Sequence, residues 1–289
     1  LHELRQIIET MKKMVRALLL PLYRLLSKLL NRIGYEISPR EKADRQKRLR
    51  QVLPYLQLVG LPPAYTNISR SQHGQDLLVI ALTSAEQHQG FFVEFGAVDG
   101  LQNSNTVFLE KTLGWRGIVS EPARRWHEKL RANRSCHVDT RCVFSESGHN
   151  LEFGETGSWM GGNTLVQYRD EGGAERKFSA TYAVETISLN DLLKEAGAPS
   201  VIDFLSVDTE GSEYEILRNV DYDRWSFGLI LVEHNFDEEK RDKIRSILNS
   251  RGYTKLPVPE DAAGVDDWYA SRQIAQKFDL LTGGAFNPA

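Results

Sequence analysis

The chain has 289 residues, 41% of them hydrophobic and 26% charged, enough apolar side chain for a full core, which excludes an intrinsically disordered chain. Its formal net charge of -3 conceals an asymmetry, because residues 1–50 carry 13 Lys+Arg against 5 Asp+Glu while the remainder carries 23 against 34. A basic arm is thus joined to an acidic body, and no nucleic-acid partner is expected of it.

In the arm, Leu4, Ile8, Met11, Val15, Leu18, Leu22, Leu25 and Leu29 recur at spacings of four and three, the seam of an amphipathic helix. Arg5, Lys12, Lys13, Arg16, Arg24, Lys28 and Arg32 occupy its polar side, and Pro21 would kink a continuous coiled coil. Packing on its own body, self-association and peripheral contact with an anionic membrane all compete for this seam. Arg16, Pro21, Arg24 and Lys28 interrupt the apolar run, so no transmembrane span is expected. Ser38 to Arg50 reads as a charged connector and Leu61-Pro62-Pro63 as a loop. The expected organisation is therefore an arm with its connector at 1–50 and one catalytic domain at 51–289.

From residue 71 strands and helices alternate. The expected strands are Phe91 to Phe95, Gly117 to Ser120, His137 to Val143, Val201 to Val207, Leu229 to Glu233, Thr254 to Val258 and Trp268 to Ala270. The expected helices are Asn105 to Leu113, Ala123 to Ala132, Leu189 to Ala196, Ser212 to Arg218 and Asp237 to Ser250. This alternation predicts an α/β fold: a doubly wound, mostly parallel seven-stranded sheet covered on both faces. The last two strands have no helix between them, which predicts a hairpin that inserts one antiparallel strand. The glycine-rich stretch Gly154 to Gly173 breaks the pattern and reads as a lid or a surface insertion. Cys136 and Cys142, placed on one strand, would lie roughly 20 Å apart and could not pair. That usage suits a reducing compartment and a cytoplasmic protein, with the arm at the inner face of a membrane as one alternative.

The chemistry gathers where strands end. Phe91-Phe92-Val93-Glu94-Phe95-Gly96-Ala97-Val98-Asp99-Gly100 is an apolar strand that breaks into a glycine turn, the place where open α/β sheets bind ligands. An acid there suits a cationic or hydroxylated ligand rather than a phosphate, and Gly96 and Gly100 would let backbone approach it. The next strand ends Ile118-Val119-Ser120-Glu121-Pro122, and its carboxylate is the candidate ribose ligand. Asp208, Glu210 and His234, after the fourth and fifth strands, are candidates for deprotonating a hydroxyl. Asp208, His234 and Asn235 together could hold Mg²⁺ or a similar divalent ion.

Taken in order, Ser71-Gln72-His73-Gly74-Gln75-Asp76, Phe92 to Gly100 with Ser104-Asn105-Thr106, Val119-Ser120-Glu121-Pro122, and Val207-Asp208-Thr209-Glu210-Gly211-Ser212-Glu213 resemble the FkbM family of S-adenosylmethionine-dependent methyltransferases. The resemblance spans about residues 70 to 270. It implies a class I methyltransferase fold of seven strands with the last antiparallel, S-adenosyl-L-methionine as cofactor, and methyl transfer to a hydroxyl oxygen of a glycan, sugar or related natural product. Glu94, Gly96 and Gly100 would then surround the methionine part, Glu121 the ribose, and Cys142-Val143 the adenine, with Ala97, Asp99 and Asn105 also binding the cofactor. The Gln75-Asp76 pair would sit at the pocket rim, with Asp208 touching the cofactor as well. Val98 departs from the pattern, standing where many class I enzymes have a glycine. A nicotinamide-dependent oxidoreductase would want Gly-x-Gly-x-x-Gly, which this turn lacks. A silent Rossmann-like interaction protein could discard the rim acids, which are all present.

Overall fold

A computed structural model of the protein describes residues 61, 65–157, 162–171, 176–259 and 263–283. The chain divides into two units, 1–47 and 48–289, and every described residue belongs to the second. The amphipathic arm and its connector lie outside the described residues.

Eleven described strands build two sheets. β1 (Phe91–Phe95), β2 (Arg116–Ser120), β3 (His137–Asp139), β8 (Val201–Val207), β9 (Ser226–Glu233), β10 (Thr254–Lys255) and β11 (Asp266–Ala270) form the larger, in the order β10-β11-β9-β8-β1-β2-β3. β1 to β3, β8 and β9 pair in parallel, whereas β11 runs antiparallel between β9 and β10. The terminal hairpin therefore inserts its antiparallel strand as the sequence predicts, although Thr254 to Val258 shortens to two residues.

β1 lies at the middle with all five residues buried, as a strand covered on both faces must be. Its alternation divides the core. Phe92, with Leu229 and Leu231 of β9, packs with α2 (Gln75–Thr83) and α3 (Val107–Lys111), while Phe91, Val93 and Phe95 face α5 (Leu189–Glu195), α6 (Glu213–Arg218) and α7 (Glu238–Ser250) with Ile230 and Val232. α1 (Tyr65–Ile68), α4 (His127–Asn133, entered through a 3-10 turn) and α8 (Arg272–Thr282) are further described α-helices, and Val166–Tyr168 forms a separate 3-10 turn.

The second sheet is a correction to the sequence reading. β4 (Cys142–Phe144), β5 (Asn150–Thr156), β6 (Thr164–Leu165) and β7 (Phe178–Ser188) take the order β4-β7-β5-β6. The strand expected over His137 to Val143 is thus two strands in two sheets, because Asp139 accepts from the Arg141 backbone N–H (2.8 Å) and turns the chain between them. Part of the stretch expected as a lid or a surface insertion, Gly154 to Gly173, pairs into this sheet through β5 and β6. Along the first half of β7 Ser179, Ala180, Thr181 and Ala183 are exposed, so its apolar signal is weak. A small core of Ala123, Trp126, Cys142, Phe153, Leu165 and Val184 fastens the second sheet to the carboxyl edge of the first.

Candidate active site

Four parallel strands deliver carboxylates to one edge: Glu94 from β1, Glu121 after β2, Asp208 after β8 and Glu233 at the end of β9. They line a cavity of about 480 Å³ together with Gln75, Gly96, Asn105, Cys142, Val143, Glu210 and Asn235. The sequence-predicted residues Ala97, Asp99, Gly100 and His234 are not on its wall.

The β1 turn is fixed by buried hydrogen bonds. Glu94 Oε2 accepts from the Ser104 (2.9 Å) and Thr106 (2.6 Å) hydroxyls and from Arg134 Nη1 (3.2 Å), and Oε1 accepts from the Asn105 N–H (2.6 Å). Glu94 therefore organises the loop that carries Asn105. Arg134, fully buried and also paired with Glu110, neutralises it. Asn105 Nδ2 in turn donates to Ser206 Oγ (3.1 Å), while its buried Oδ1 has no partner.

The glycines need a different explanation from ligand approach. A Cβ on Gly96, at φ +71°, would stand 2.3 Å from the Asp208 carbonyl oxygen, so Gly96 is what lets the β1 and β8 loops touch. At Gly100 the space is filled by Arg134 and Leu130. Asp99 is likewise a turn residue, its Oδ1 accepting the Leu101 and Gln102 N–H groups at 2.9 Å, and Ala97 is core. Val98 adopts φ +49°, the region open to glycine, and its N–H donates to Glu121 Oε2 (2.9 Å). Val98, Asn103, Glu210 and Asn235 all combine left-handed backbone with a place on the cavity wall, and such strain collects where surrounding structure over-determines it.

Glu121 is 4% exposed. Its Oε1 accepts the Ala123 N–H (2.8 Å), and burial, opposed by the two backbone bonds, pushes the carboxyl up to about 7. Beyond it, Pro122, Cys142, Val143, Phe153 and Leu165 line an apolar stretch of wall. Burial raises the Cys142 thiol to about 12, so it stays neutral.

At the other end stand Asp208, Glu233 and Asp266. Asp208 and Glu233 hydrogen bond to each other; burial and repulsion from Glu210 raise Asp208, and burial with repulsion from Asp208 and Glu210 raises Glu233, both well above the ordinary carboxylate range. One proton shared between them satisfies that geometry. Gln75 Nε2 donates to Asp266 Oδ2 (2.8 Å), and burial holds that carboxyl at about 7. Asp76, expected beside Gln75 at the rim, is instead fully buried, accepting from Ser69 Oγ (2.6 Å) and Ser71 Oγ (2.7 Å). Glu210 lies at the wall but is already engaged: Oε1 accepts the Gly162 N–H (2.9 Å) and Oε2 pairs with Arg176 Nη2 (2.7 Å). Glu213, not expected at the site, shapes this loop from behind. Its Oε1 accepts from the Thr209 N–H (2.9 Å) and Gly211 N–H (3.0 Å), and its Oε2 meets Lys240 Nζ (2.9 Å).

His234 is the principal correction. It is 2% exposed, its Nδ1 accepts the Phe236 N–H (3.0 Å), and its Nε2 lies 4.0 Å from Asp267, so it neither serves as base nor ligates a metal in the cavity. Glu233, one residue earlier, takes that place, and side-chain alternation along β9 is the signal that identifies it, since Leu231 and Glu233 share the cavity face. Among the described residues, Asp208, Glu210 and Glu233 each offer an oxygen within 4.8 Å of the others; of the expected cation ligands Asp208, His234 and Asn235, this keeps Asp208, while Asn235 lines the same cavity and His234 does not.

The Methyltransferase FkbM domain profile matches residues 94–255, from the β1 acid to β10. The chain belongs to the FkbM methyltransferase family. It is therefore an S-adenosylmethionine-dependent methyltransferase. Solved structures similar to this FkbM chain include the methyltransferase FkbM from Methylobacillus flagellatus, at 11% identity over 78% of this chain and 60% of that one (TM-score 0.40). An O-methyltransferase from Bacillus cereus in complex with SAH shares 13% identity over 85% and 96% (TM-score 0.38). A precorrin-6y C5,15-methyltransferase from Geobacter metallireducens shares 12% over 62% and 71% (TM-score 0.34). Among curated proteins none shows significant similarity.

The residues present fit S-adenosylmethionine. The unpartnered Asn105 Oδ1 can accept from an ammonium group, the apolar wall at Cys142 and Val143 suits a flat base, and Glu121 can take ribose hydroxyls. No described lining residue is Lys, Arg or His, so a cationic ligand meets only acids and neutral groups. No described helix is long and apolar enough to cross a membrane.

Proposed function

We propose that the protein transfers a methyl group to a hydroxyl oxygen of a glycan, sugar or related natural product, with Asp208 as the general base. The observation that carries this reading is the Asp208–Glu233 carboxyl pair at the end of the cavity away from the adenine wall. When bound, the cofactor supplies an electrophilic methyl on a sulfonium, so the new oxygen–carbon bond forms as the carbon–sulfur pair returns to sulfur. In the singly protonated pair Glu233 holds the shared proton and donates it in a hydrogen bond to Asp208, so Asp208 is the ionised partner and accepts the hydroxyl proton at a carboxylate oxygen, taking the pair from one negative charge to none. The Glu213 and Gly96 contacts fix the Asp208 loop before substrate arrives, so alignment needs no rearrangement of the base. Asp208→Asn should lower kcat by roughly 10² while leaving S-adenosylhomocysteine affinity nearly intact. Wild-type turnover in that variant would remove Asp208 from the base role.

A second reading rests on the oxygens of Asp208, Glu210 and Glu233, all within 4.8 Å of one another. A divalent cation held there would lower the acceptor pKa as a Lewis acid. Against it, Glu210 is already bound by Arg176 and Gly162, and Glu233 Oε2 accepts from Asn235 Nδ2 (2.8 Å).

A further inference from the structure

Asp266 and Asp267 are adjacent in β11, and the pleat sends their side chains to opposite sides. Asp267 is a structural acid, paired with Arg241 Nη2 (2.9 Å) and Lys255 Nζ (2.7 Å). Asp266 has no such cation. It lines the cavity and is 9% exposed. Its side chain makes one hydrogen bond among the described residues, from Gln75 Nε2 to Oδ2 (2.8 Å), which leaves Oδ1 without a partner there. Gln75 is itself held: it opens α2, and its Oε1 accepts the His73 N–H (2.7 Å), so the NH₂ end of the carboxamide is the one turned to Asp266.

Strand order places this acid at the reacting end. Asp266 lies directly opposite Glu233 in the antiparallel β9–β11 pair, where facing residues hold their Cβ atoms about 5 Å apart, and its charge adds to the repulsion felt at Asp208. Along the carboxyl edge the acids follow the strands β11, β9, β8, β1 and β2 as Asp266, Glu233, Asp208, Glu94 and Glu121. Four strand spacings, roughly 19 Å, therefore separate Asp266 from the ribose acid. With ribose at Glu121 and the methionine part beside Asn105, the cofactor fills the β1–β2 side, and the group that reaches Asp266 across Asp208 belongs to the acceptor. No described Lys, Arg or His lines the wall, so the hydrogen for Oδ1 has to come from the bound molecule.

We propose that Asp266 is an acceptor-binding residue: its Oδ1 accepts a hydrogen bond from a second hydroxyl close to the one methylated, so the acceptor is a neutral polyol rather than an isolated alcohol. Gln75 is a positioning residue that acts through Asp266. This rests on the O-methyl transfer reading above and adds to it a second point of recognition. Asp266 lies beyond the residues 94–255 that match the family profile, so it can set the choice of acceptor without altering the shared machinery. An acceptor with a phosphate or carboxylate in place of that hydroxyl would meet the acid with no counter-charge.

The test uses the full chain with S-adenosylmethionine, the methyl glycosides of glucose, galactose and mannose, and their monodeoxy analogues, with product NMR giving the methylated position. For the glycoside methylated best, removing one hydroxyl other than the reacting one should lower kcat/KM at least about tenfold in the wild type. In Asp266→Ala the parent glycoside should fall by that factor and the deoxy analogue should not, so the two become equal. Gln75→Leu should lower the parent-to-deoxy ratio part of the way. Asp266→Asn, close in shape to the native side chain, carries the same test if the Ala variant does not fold, and the ratio should drop at least about threefold as the charge is lost. Calorimetry should show S-adenosylhomocysteine binding unchanged in the Asp266 variants. An unchanged ratio in those variants, deoxy analogues that all turn over like their parents, no transfer to any of the glycosides, or weakened S-adenosylhomocysteine binding in Asp266→Asn would each overturn the proposal. The first two leave O-methyl transfer standing, whereas a wild-type protein that fails to bind S-adenosylhomocysteine, or that methylates an atom other than oxygen, refutes the transfer reading itself.

Discussion

Replacing Glu121 by Gln should weaken S-adenosylhomocysteine binding and remove most of its pH dependence near neutrality. In the free protein both carboxylate oxygens accept backbone N–H groups, from Val98 and Ala123, yet burial still lifts the group to about 7. Ribose hydroxyls donating to that carboxylate favour its ionised form. Binding should therefore strengthen as pH rises through about 7 and level off above it. Below that point affinity should fall by up to about tenfold per pH unit. Loss of charge-assisted hydrogen bonds in the Gln variant costs about 1.5–3 kcal/mol, or roughly 10- to 150-fold in Kd.

Stability moves in the opposite sense. Because the folded pKa is raised above the unfolded value of 4.5, the contribution of Glu121 is full below that value and is lost as pH rises through about 7, at most about 3 kcal/mol. Gln removes this penalty but turns its amide NH₂ toward one of the two backbone N–H groups, at about 1–3 kcal/mol. The two effects nearly offset, so the variant should fold. Calorimetric titration of both proteins at about pH 6 and pH 8 decides the matter. Asp266 also titrates near 7, but it is unchanged between the two proteins and cancels in the comparison. Equal Kd values, or a wild-type affinity indifferent to pH, would refute the ribose role.

Two further outcomes follow from the loop contacts and the acid cluster. Gly96→Ala and Gly114→Ala both place a Cβ at positive φ, but only at Gly96 does it strike another loop, whereas nothing lies within 4 Å at Gly114. Gly96→Ala should thus cost at least about 2 kcal/mol and lower the melting temperature by about 4–8 °C, with a clearly smaller loss at Gly114; equal losses would show that the Asp208 contact carries no weight. With Asp208 as base, exhaustive EDTA treatment should leave turnover unchanged, and activity lost to EDTA and restored by Mg²⁺ would instead assign Asp208, Glu210 and Glu233 as metal ligands.

What the sequence reveals depends on how local the deciding physics is. β1 and its turn are legible because five consecutive buried residues and a glycine break are contiguous signals. Glu121 is legible from its place at the end of the following strand. β5 and β7 are not, because each carries exposed residues along one end, Asn150 and Glu152 in β5 and Ser179 to Thr181 in β7, and the partners Asn150 and Glu185 lie far apart in the chain, so neither strand is continuously apolar. Asp99 and Gly100 look like ligands in the motif but serve the turn, a distinction set by Leu101, Leu130 and Arg134. His234 and Glu233 differ only in which way a strand side chain points, and chemical type favours the histidine while the pleat selects the acid.

The central claim, methyl transfer to oxygen, is tested most directly by incubating the protein with S-adenosylmethionine carrying a ¹³C-labelled methyl group and a hydroxylated acceptor. The account predicts that the labelled carbon appears as a methoxyl signal in the product, in step with S-adenosylhomocysteine and lost in Asp208→Asn. A labelled methyl found on nitrogen, sulfur or carbon would contradict it.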